Sequence, residues 1–228
     1  MKKLNHDVKH LKLELICVIS NFGMGSKLLK TAKNNGVLGG TISLAKGTVH
    51  NRILDYIGLT DIRKEILYMV ADEETADHAL EKMNAEYKFY KPHHGIAFTT
   101  SICNAVGTKC AKDKELNYEN IERGENNSMY QLITVIVEKG KAEEVIEAAE
   151  KAGSKGGTII NARGAGTHET SKLFSMDIEP EKEIVIILSE YEMTQAIVTS
   201  INQDLNIDRP GKGIVYVQNV NKTYGIYK

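Results

Sequence analysis

The spacing of apolar residues in the second half of the chain predicts a strand followed by a helix. Tyr130 to Glu138 contains an unbroken run of apolar and β-branched residues, which is typical of a buried strand. Between Lys141 and Ala152 the apolar residues return at helical spacing, and Gly153 follows as a stop signal. The first elements of this half are therefore predicted to be β and then α.

The rest of the second half continues this alternation. Gly157 to Arg163 and Glu183 to Leu188 are predicted strands, and a polar segment separates them. A helix is predicted over residues 193–201, and Gly213 to Val217 is a last apolar strand. The resulting order, β-α-β-β-α-β, predicts an α+β ferredoxin-like module.

The first half shows the same order more weakly. Its predicted strands are near Leu13–Ser20, Thr41–Lys46, Ile66–Ala71 and Ile96–Ile102, and its helices are near Ser26–Lys33 and over 76–83. The sequence itself also repeats. Gly39 to Gly47 returns as Gly156 to Gly164 with six of nine positions identical. We therefore predict two tandem modules, at 13–107 and 129–228, joined by a polar linker at 108–128.

Two predicted strands, Leu132–Val137 and Ile184–Leu188, are apolar or β-branched at every position, so they need cover on both faces. In this module both helices cover the same face of the sheet. The other face must be covered by the other half, by another chain, or by both, because a bare apolar sheet favours aggregation. The pattern favours an oligomer that assembles through its sheets.

Composition narrows the class of protein. The formal net charge of −1 argues against a nucleic-acid binder that acts by phosphate neutralisation. No apolar run is long enough to span a membrane, and the start lacks the apolar core of a signal peptide. The three cysteines have no C-x-x-C spacing. A cytoplasmic protein without membrane insertion is the expectation.

Four segments of the second half carry a family resemblance. They are the first strand, Ala162 to His168, Ile178 to Val185, and Arg209 to Ile214. In order and spacing they resemble the P-II nitrogen regulatory protein family, in particular its P-II-like branch, and the first half resembles it weakly.

The resemblance implies a regulator rather than an enzyme, possessing no catalytic residues. It implies a homotrimer whose sheets face inward, and an adenine nucleotide (ATP, ADP or AMP) as effector, bound between neighbouring subunits. It also implies a long loop that contacts a regulated enzyme or membrane transporter, with a role in nitrogen regulation.

Two Gly-rich segments are the candidate nucleotide site. A Gly-x-Gly turn exposes backbone N–H groups that approach a phosphate, and a lysine in a Gly-rich turn adds a charge. The alternatives are a plain strand-ending turn and a solvated lysine. The histidine after the first segment is either a switch near neutral pH or an ordinary loop residue. The candidate residues are Gly164, Gly166, Thr167, His168, Pro210, Gly211, Lys212 and Gly213.

The loop from Thr167 to Lys182 is the candidate partner contact. Leu173, Phe174 and Met176 stand among polar residues there. They either anchor a partner or pack back on their own subunit. We expect this loop to be mobile without ligand and ordered with it, since long loops usually survive because they contact something.

The first half lacks both Gly-rich segments, so we predict that its role is structural. His50, His93 and His94 are candidate metal ligands, but adjacent histidines in an extended segment point to opposite faces. We therefore predict no metal site. Two alternatives to a regulator stay open: a CutA-like module that binds a metal or small molecule, and an assembly protein without a ligand.

Overall fold

The computed structural model describes residues 12–47, 62–108, 129–166, 171–173, 176–221 and 223. The first half consists of β1 (Leu13–Asn21), α1 (Gly25–Asn34), β2 (Gly40–Gly47), β3 (Ile62–Asp72), α2 (Glu73–Tyr87), β4 (Ile96–Ile102) and β5 (Asn104–Val106). The second consists of β6 (Tyr130–Glu138), α3 (Ala142–Lys151), β7 (Thr158–Ala165), β8 (Ser171–Leu173), β9 (Met176–Ile178), β10 (Glu181–Glu190), α4 (Tyr191–Leu205) and β11 (Ile214–Val220). The β-α-β-β-α-β order predicted for each half is confirmed.

Three details differ from the sequence prediction. The polar segment from Arg163 to Lys182 is not all loop, because β7 continues through Ala165 and β10 begins at Glu181. Within it, β8 and β9 pair as a short antiparallel hairpin. The short strand β5 was not predicted. The rest of the predicted linker after Thr108 lies outside the described residues.

The strands of both halves form one sheet, in the order β4-β1-β3-β2-β7-β10-β6-β11-β5. The junction is an antiparallel pairing of β2 with β7, which runs from Gly40 opposite Ala165 to Ser43 opposite Ala162. These two strands are the repeat equivalents of one another, so the halves meet through the same edge of each module.

The sheet closes on itself. β4 and β5 stand at opposite ends of the strand order, yet Cys103 alone separates them in sequence. The Cys103 N–H donates to the carbonyl oxygen of Val217 at 2.8 Å, and Gln218 Nε2 donates to Thr100 Oγ1 at 2.7 Å. β4 and β5 therefore act as one kinked strand that joins β1 to β11, and the structure is a barrel.

The barrel interior is one apolar cluster with contributions from both halves. On the outside, α1 and α2 cover the first half and α3 and α4 cover the second. The buried interior residues are Leu13, Leu15, Ala105, Ile136, Ile184 and Tyr216. The second face of each sheet is thus covered by the other half of the same chain. Apolar strands alone no longer require a second chain, and the trimer stays a prediction that depends on the family resemblance.

A glutamate on the third strand of each module holds the start of that module's first helix. Glu65 Oε2 accepts the N–H of Gly25 at 2.7 Å, and Glu183 Oε2 accepts the N–H of Ala142 at 2.9 Å. Both helix N-termini lack a capping side chain of their own, so these carboxylates satisfy donors that the helix leaves unpaired. The two modules therefore share this helix contact as well as their sequence.

No helix in the described part of the chain is long and apolar enough to cross a membrane.

Candidate functional site

A cavity opens at one end of the barrel, at the β2–β7 junction, with a volume of about 160 Å³. Both halves contribute to its wall. The residues that line it are Leu15, Leu38, Gly39, Gly40, Thr41, Tyr68, Met69, Val70, Gly107, Thr108, Ile136, Gly164, Gly166, Lys182, Pro210, Gly211, Gly213, Ile214 and Tyr216.

The deep part of the cavity is apolar and electrically neutral. Leu15 and Ile136 are buried there beside the phenols of Tyr68 and Tyr216. Burial raises the pKa of both tyrosines, although Tyr68 is hydrogen-bonded to a serine and Tyr216 to a threonine. Burial also raises the pKa of Cys17, in the same interior, to about 11. These groups therefore carry no charge at neutral pH.

The rim is rich in glycine. Gly164 lies near the end of β7, Gly166 comes just after it, and the turn 210–213 leads into β11, while Gly39 and Gly40 contribute from the first half. The two segments predicted from the sequence thus line the same cavity. Lys182, at the start of β10, is the charged side chain among the described lining residues.

Other predicted residues lie elsewhere. The Lys212 side chain is exposed and does not line the cavity. Leu173 and Met176 are paired across the β8–β9 hairpin. Thr167, His168 and Phe174 lie outside the described residues.

Gly164 has a packing role of its own. A Cβ at this position would overlap the carbonyl oxygen of Gly40 and lie 2.9 Å from Thr41 Cα. The close pairing of β2 with β7 therefore requires a glycine here, whatever binds nearby. Gly166, next along the rim, accepts a long hydrogen bond from Lys33 Nζ at 3.5 Å through its carbonyl oxygen.

A partly buried ion-pair cluster lies beside the junction on its helical side. Arg163 Nη2 donates to Glu65 Oε1 at 2.9 Å, and Arg163 Nε donates to Glu179 Oε2 at 2.8 Å. Glu65 is 1% exposed and Arg163 is 30% exposed. The cluster links the first half, the end of β7 and the segment that follows the β8–β9 hairpin.

Glu65 is held in its charged form. Burial raises the pKa of its carboxyl, but hydrogen bonds from the Gly25 N–H and from Arg163 together lower it by more, so the net pKa is below the ordinary value. Burial lowers the pKa of Arg163, and the two glutamates raise it above its ordinary value. At neutral pH Glu65 and Arg163 are therefore both charged, and the guanidinium lies between the Glu65 and Glu179 side chains.

The described histidines do not form a metal site. His93 has a left-handed backbone, with φ of 66°, and His94 Nδ1 is 2.8 Å from the carbonyl oxygen of Tyr87. Within the described ranges no three His, Cys, Asp or Glu side chains are placed to hold a metal ion. His50 lies outside the described residues.

Sequence reasoning missed the first-half contribution to the cavity. Gly40 and Thr41 reach it because β2 pairs with β7 at the junction, and Tyr68 lies opposite Thr41 on the neighbouring strand β3. The shared Gly-Gly-Thr motif was a signal for Gly40 and Thr41, and Tyr68 had none. Nothing in the sequence indicated that Tyr216 and Lys182 face the same space.

The family model for "Nitrogen regulatory protein P-II" matches residues 130–228. The P-II resemblance is thus confirmed for the second half of the chain. A comparison with curated proteins gives no match.

Three solved structures are similar to parts of the chain. A PII-like signaling protein from Thermus thermophilus has 21% identity, covers 40% of this chain and 88% of its own, and has a TM-score of 0.31. The GlnK–ATP complex of B. subtilis has 16% identity, coverages of 40% and 82%, and a TM-score of 0.31. The ligand-free regulatory subunit of aspartate kinase, also from T. thermophilus, has 12% identity, coverages of 85% and 93%, and a TM-score of 0.33.

Proposed function

We propose, from the P-II match of its second half, that this chain is a regulatory protein and not an enzyme. It binds a small effector in the cavity at the junction of its halves and thereby controls a partner protein. The observation that supports this proposal is the convergence of two separate Gly-rich segments on one cavity. Gly164 and Gly166 line it from one side and the 210–213 turn from another.

The position of the cavity suits a signalling role. β7 and β10 border it, and both lead directly into the segment that contains the β8–β9 hairpin. Glu179, just after the hairpin, is bound to Arg163 on β7. A ligand that shifts the end of β7 would therefore act on the base of the hairpin. Leu173 and Met176 are the candidate partner contacts on that hairpin.

The resemblance to the P-II family implies that the effector is an adenine nucleotide. Its ring would enter the cavity and its phosphates would lie over the 210–213 turn, where Lys212 provides a positive charge. One of the similar structures, B. subtilis GlnK, is a complex with ATP. We further propose that the protein is cytoplasmic and acts in nitrogen regulation. Its partner is then an enzyme or a membrane transporter.

Calorimetric titration with ATP, ADP and AMP tests this effector. Changing Lys212 to Ala should weaken nucleotide binding by at least about tenfold, because a hydrogen bond to a charged group contributes about 1.5–3 kcal/mol. His94→Ala is the matched control, since His94 occupies the equivalent position in the first half. Equal losses in both variants, or none in Lys212→Ala, would contradict the assignment of the phosphates to this turn.

The proposed trimer has a separate test. Light scattering at micromolar concentration should give three times the mass of the 25.3 kDa chain. A monomer would be consistent with the closed barrel and would show that the trimer implied by the family does not apply to this chain.

A further inference from the structure

We propose that the wall of the barrel contains a docking slit for an extended, apolar peptide segment of a partner protein. The slit lies where β2 and β7 cease to pair, between residues 44–47 of β2 and residues 158–161 of β7. The junction cavity lies at the paired end of the same two strands, so this inference does not depend on the effector proposed above.

The pairing of β2 with β7 ends halfway along both strands. Its last pair is Ser43 opposite Ala162. Both strands nevertheless continue, β2 as far as Gly47 along β3 and β7 back to Thr158 along β10. Each strand therefore has one edge that pairs with no other strand of the described chain.

The main-chain groups of the β7 edge face the slit. In an antiparallel ladder the N–H and C=O groups of successive residues point alternately to the two sides of the strand. The Gly164 N–H donates to the carbonyl oxygen of Pro180, on the β10 side. By this alternation, the N–H and C=O groups of Asn161 and Ile159 point away from β10 and into the slit.

The β2 edge faces the slit in the same way. The alternation also points the main-chain groups of Arg163 toward β2, where Ile42 is the opposite residue. Leu44 is two residues beyond Ile42, so its N–H and C=O groups point to the same side. Both walls of the slit therefore present main-chain donors and acceptors that a further strand would satisfy.

The side chains at the slit are apolar and accessible. Leu44 on one wall is 65% exposed, and Ile159 on the other is 43% exposed. Ile42, the repeat equivalent of Ile159, is only 1% exposed because β7 pairs alongside it. On the other face of β7, Ile160 packs against the barrel interior. A segment in the slit would thus meet apolar surface on both of its faces.

Two facing edges favour a linear peptide over a second copy of this chain. A strand of a folded sheet has at most one free edge, so it would pair with only one wall. An extended peptide has two free edges and adds main-chain hydrogen bonds to both. The unpaired stretches 44–47 and 158–161 are each four residues long, so the partner segment is a short apolar run without proline.

The test uses the full chain and two fluorescein-labelled peptides. The first has the sequence Ser-Val-Ile-Val-Ser, and the second is identical except for an N-methyl group on its isoleucine. The second peptide keeps every side chain but lacks one main-chain donor. Binding is measured by fluorescence anisotropy, and thermal melts verify that each protein variant is folded.

Two variants alter the slit, and each has a matched control. Ile159→Pro removes an N–H that faces the slit and leaves the hydrogen bonds to β10 in place, whereas Ile159→Val keeps both the N–H and an apolar side chain. Leu44→Ser removes apolar surface from the opposite wall. Its control is Tyr90→Ser, at an exposed aromatic residue in a turn.

We expect the N-methylated peptide to bind at least about fivefold more weakly than the first peptide, because one main-chain hydrogen bond contributes about 1 kcal/mol. Ile159→Pro should weaken binding of the first peptide by a similar factor, and Leu44→Ser should weaken it about threefold or more. Both controls should bind like the wild type. If Ile159→Pro does not fold, the N-methylated peptide still tests the main-chain pairing.

Three results would overturn the inference. The first is no binding of the first peptide, and the second is equal binding of the two peptides, which would indicate apolar adhesion without strand pairing. The third is a wild-type oligomer that Ile159→Pro dissociates in light scattering, because a second copy would then occupy the slit.

Discussion

Replacing Arg163 with Ala should destabilise the protein by about 2–3 kcal/mol at neutral pH. The substitution leaves Glu65, which is 1% exposed, ionised beside the junction without its cation. Removing one partner of a buried pair costs about 3–5 kcal/mol, whereas an exposed pair contributes about 0.2–1 kcal/mol. We expect an intermediate value because Arg163 is 30% exposed and the Gly25 N–H continues to hold the Glu65 carboxylate.

The assay is thermal and urea unfolding of the wild type, Arg163→Ala and Lys46→Ala. For a chain of this size the melting temperature of Arg163→Ala should fall by about 5–10 °C. Lys46 is the repeat equivalent of Arg163 and its side chain is exposed. Its replacement should therefore change stability by no more than about 0.5 kcal/mol.

The pH dependence gives a second, independent readout. The net pKa of Glu65 in the folded protein lies below its unfolded value of about 4.3, so its stabilising contribution is complete above that value. The contribution is lost as the pH falls through the folded pKa. Without Arg163 the pKa of Glu65 is lowered less, so the deficit of Arg163→Ala should shrink on acidification to about pH 3.5.

Two results would refute this reasoning. One is an equal deficit of Arg163→Ala at neutral and acidic pH, which would indicate lost packing instead of a lost charge interaction. The other is strict additivity of Arg163→Ala with Glu65→Gln. Two groups in direct contact at 2.9 Å should show a coupling energy above about 0.5 kcal/mol.

Three further predictions concern the junction, a helix terminus and the hairpin. Gly164→Ala should destabilise the protein by more than about 2 kcal/mol, because the new Cβ would overlap Gly40. Gly211→Ala has no heavy atom near its Cβ and should cost only about 1 kcal/mol, which arises from the backbone φ of 81°. Equal losses for the two variants in urea unfolding would reject the close approach of Gly164 to Gly40. Glu183→Ala should lower the free energy of unfolding by about 1–2 kcal/mol, because the N–H groups of Gly140 and Ala142 lose their acceptor. An unchanged melting temperature would show that water replaces the carboxylate. The backbone amides of β8 and β9 should gain hydrogen-exchange protection with the best-binding ligand, and full protection of the free protein would exclude a ligand-dependent change there.

The parts of the fold that local sequence determines were predicted well. The bounds of β6 and β4 agree with the predicted strands because long apolar or β-branched runs specify a strand without outside help. β5 was missed because three residues are too few for a pattern. β8 and β9 were missed because their segment is largely polar.

Long-range pairing could not be predicted in the same way. The edges of β2 and β7 are both unpaired within their own modules, and no local pattern specifies that they pair with one another. The cavity depends on that pairing. Gly164 and the 210–213 turn were therefore found through the resemblance, whereas Tyr68 and Lys182 were not, because they join the cavity only when the barrel closes.

The covalent link between the two halves has an evolutionary consequence. A barrel made from two copies of one module has two equivalent ends, and in a dimer of identical subunits any substitution appears at both. With both copies encoded in one gene, each end accumulates substitutions independently. The turn 210–213 reads Pro-Gly-Lys-Gly at one end, and its counterpart 92–95 reads Pro-His-His-Gly at the other. A tandem arrangement in one chain thus allows the two ends of the barrel to differ in sequence, as these two turns do.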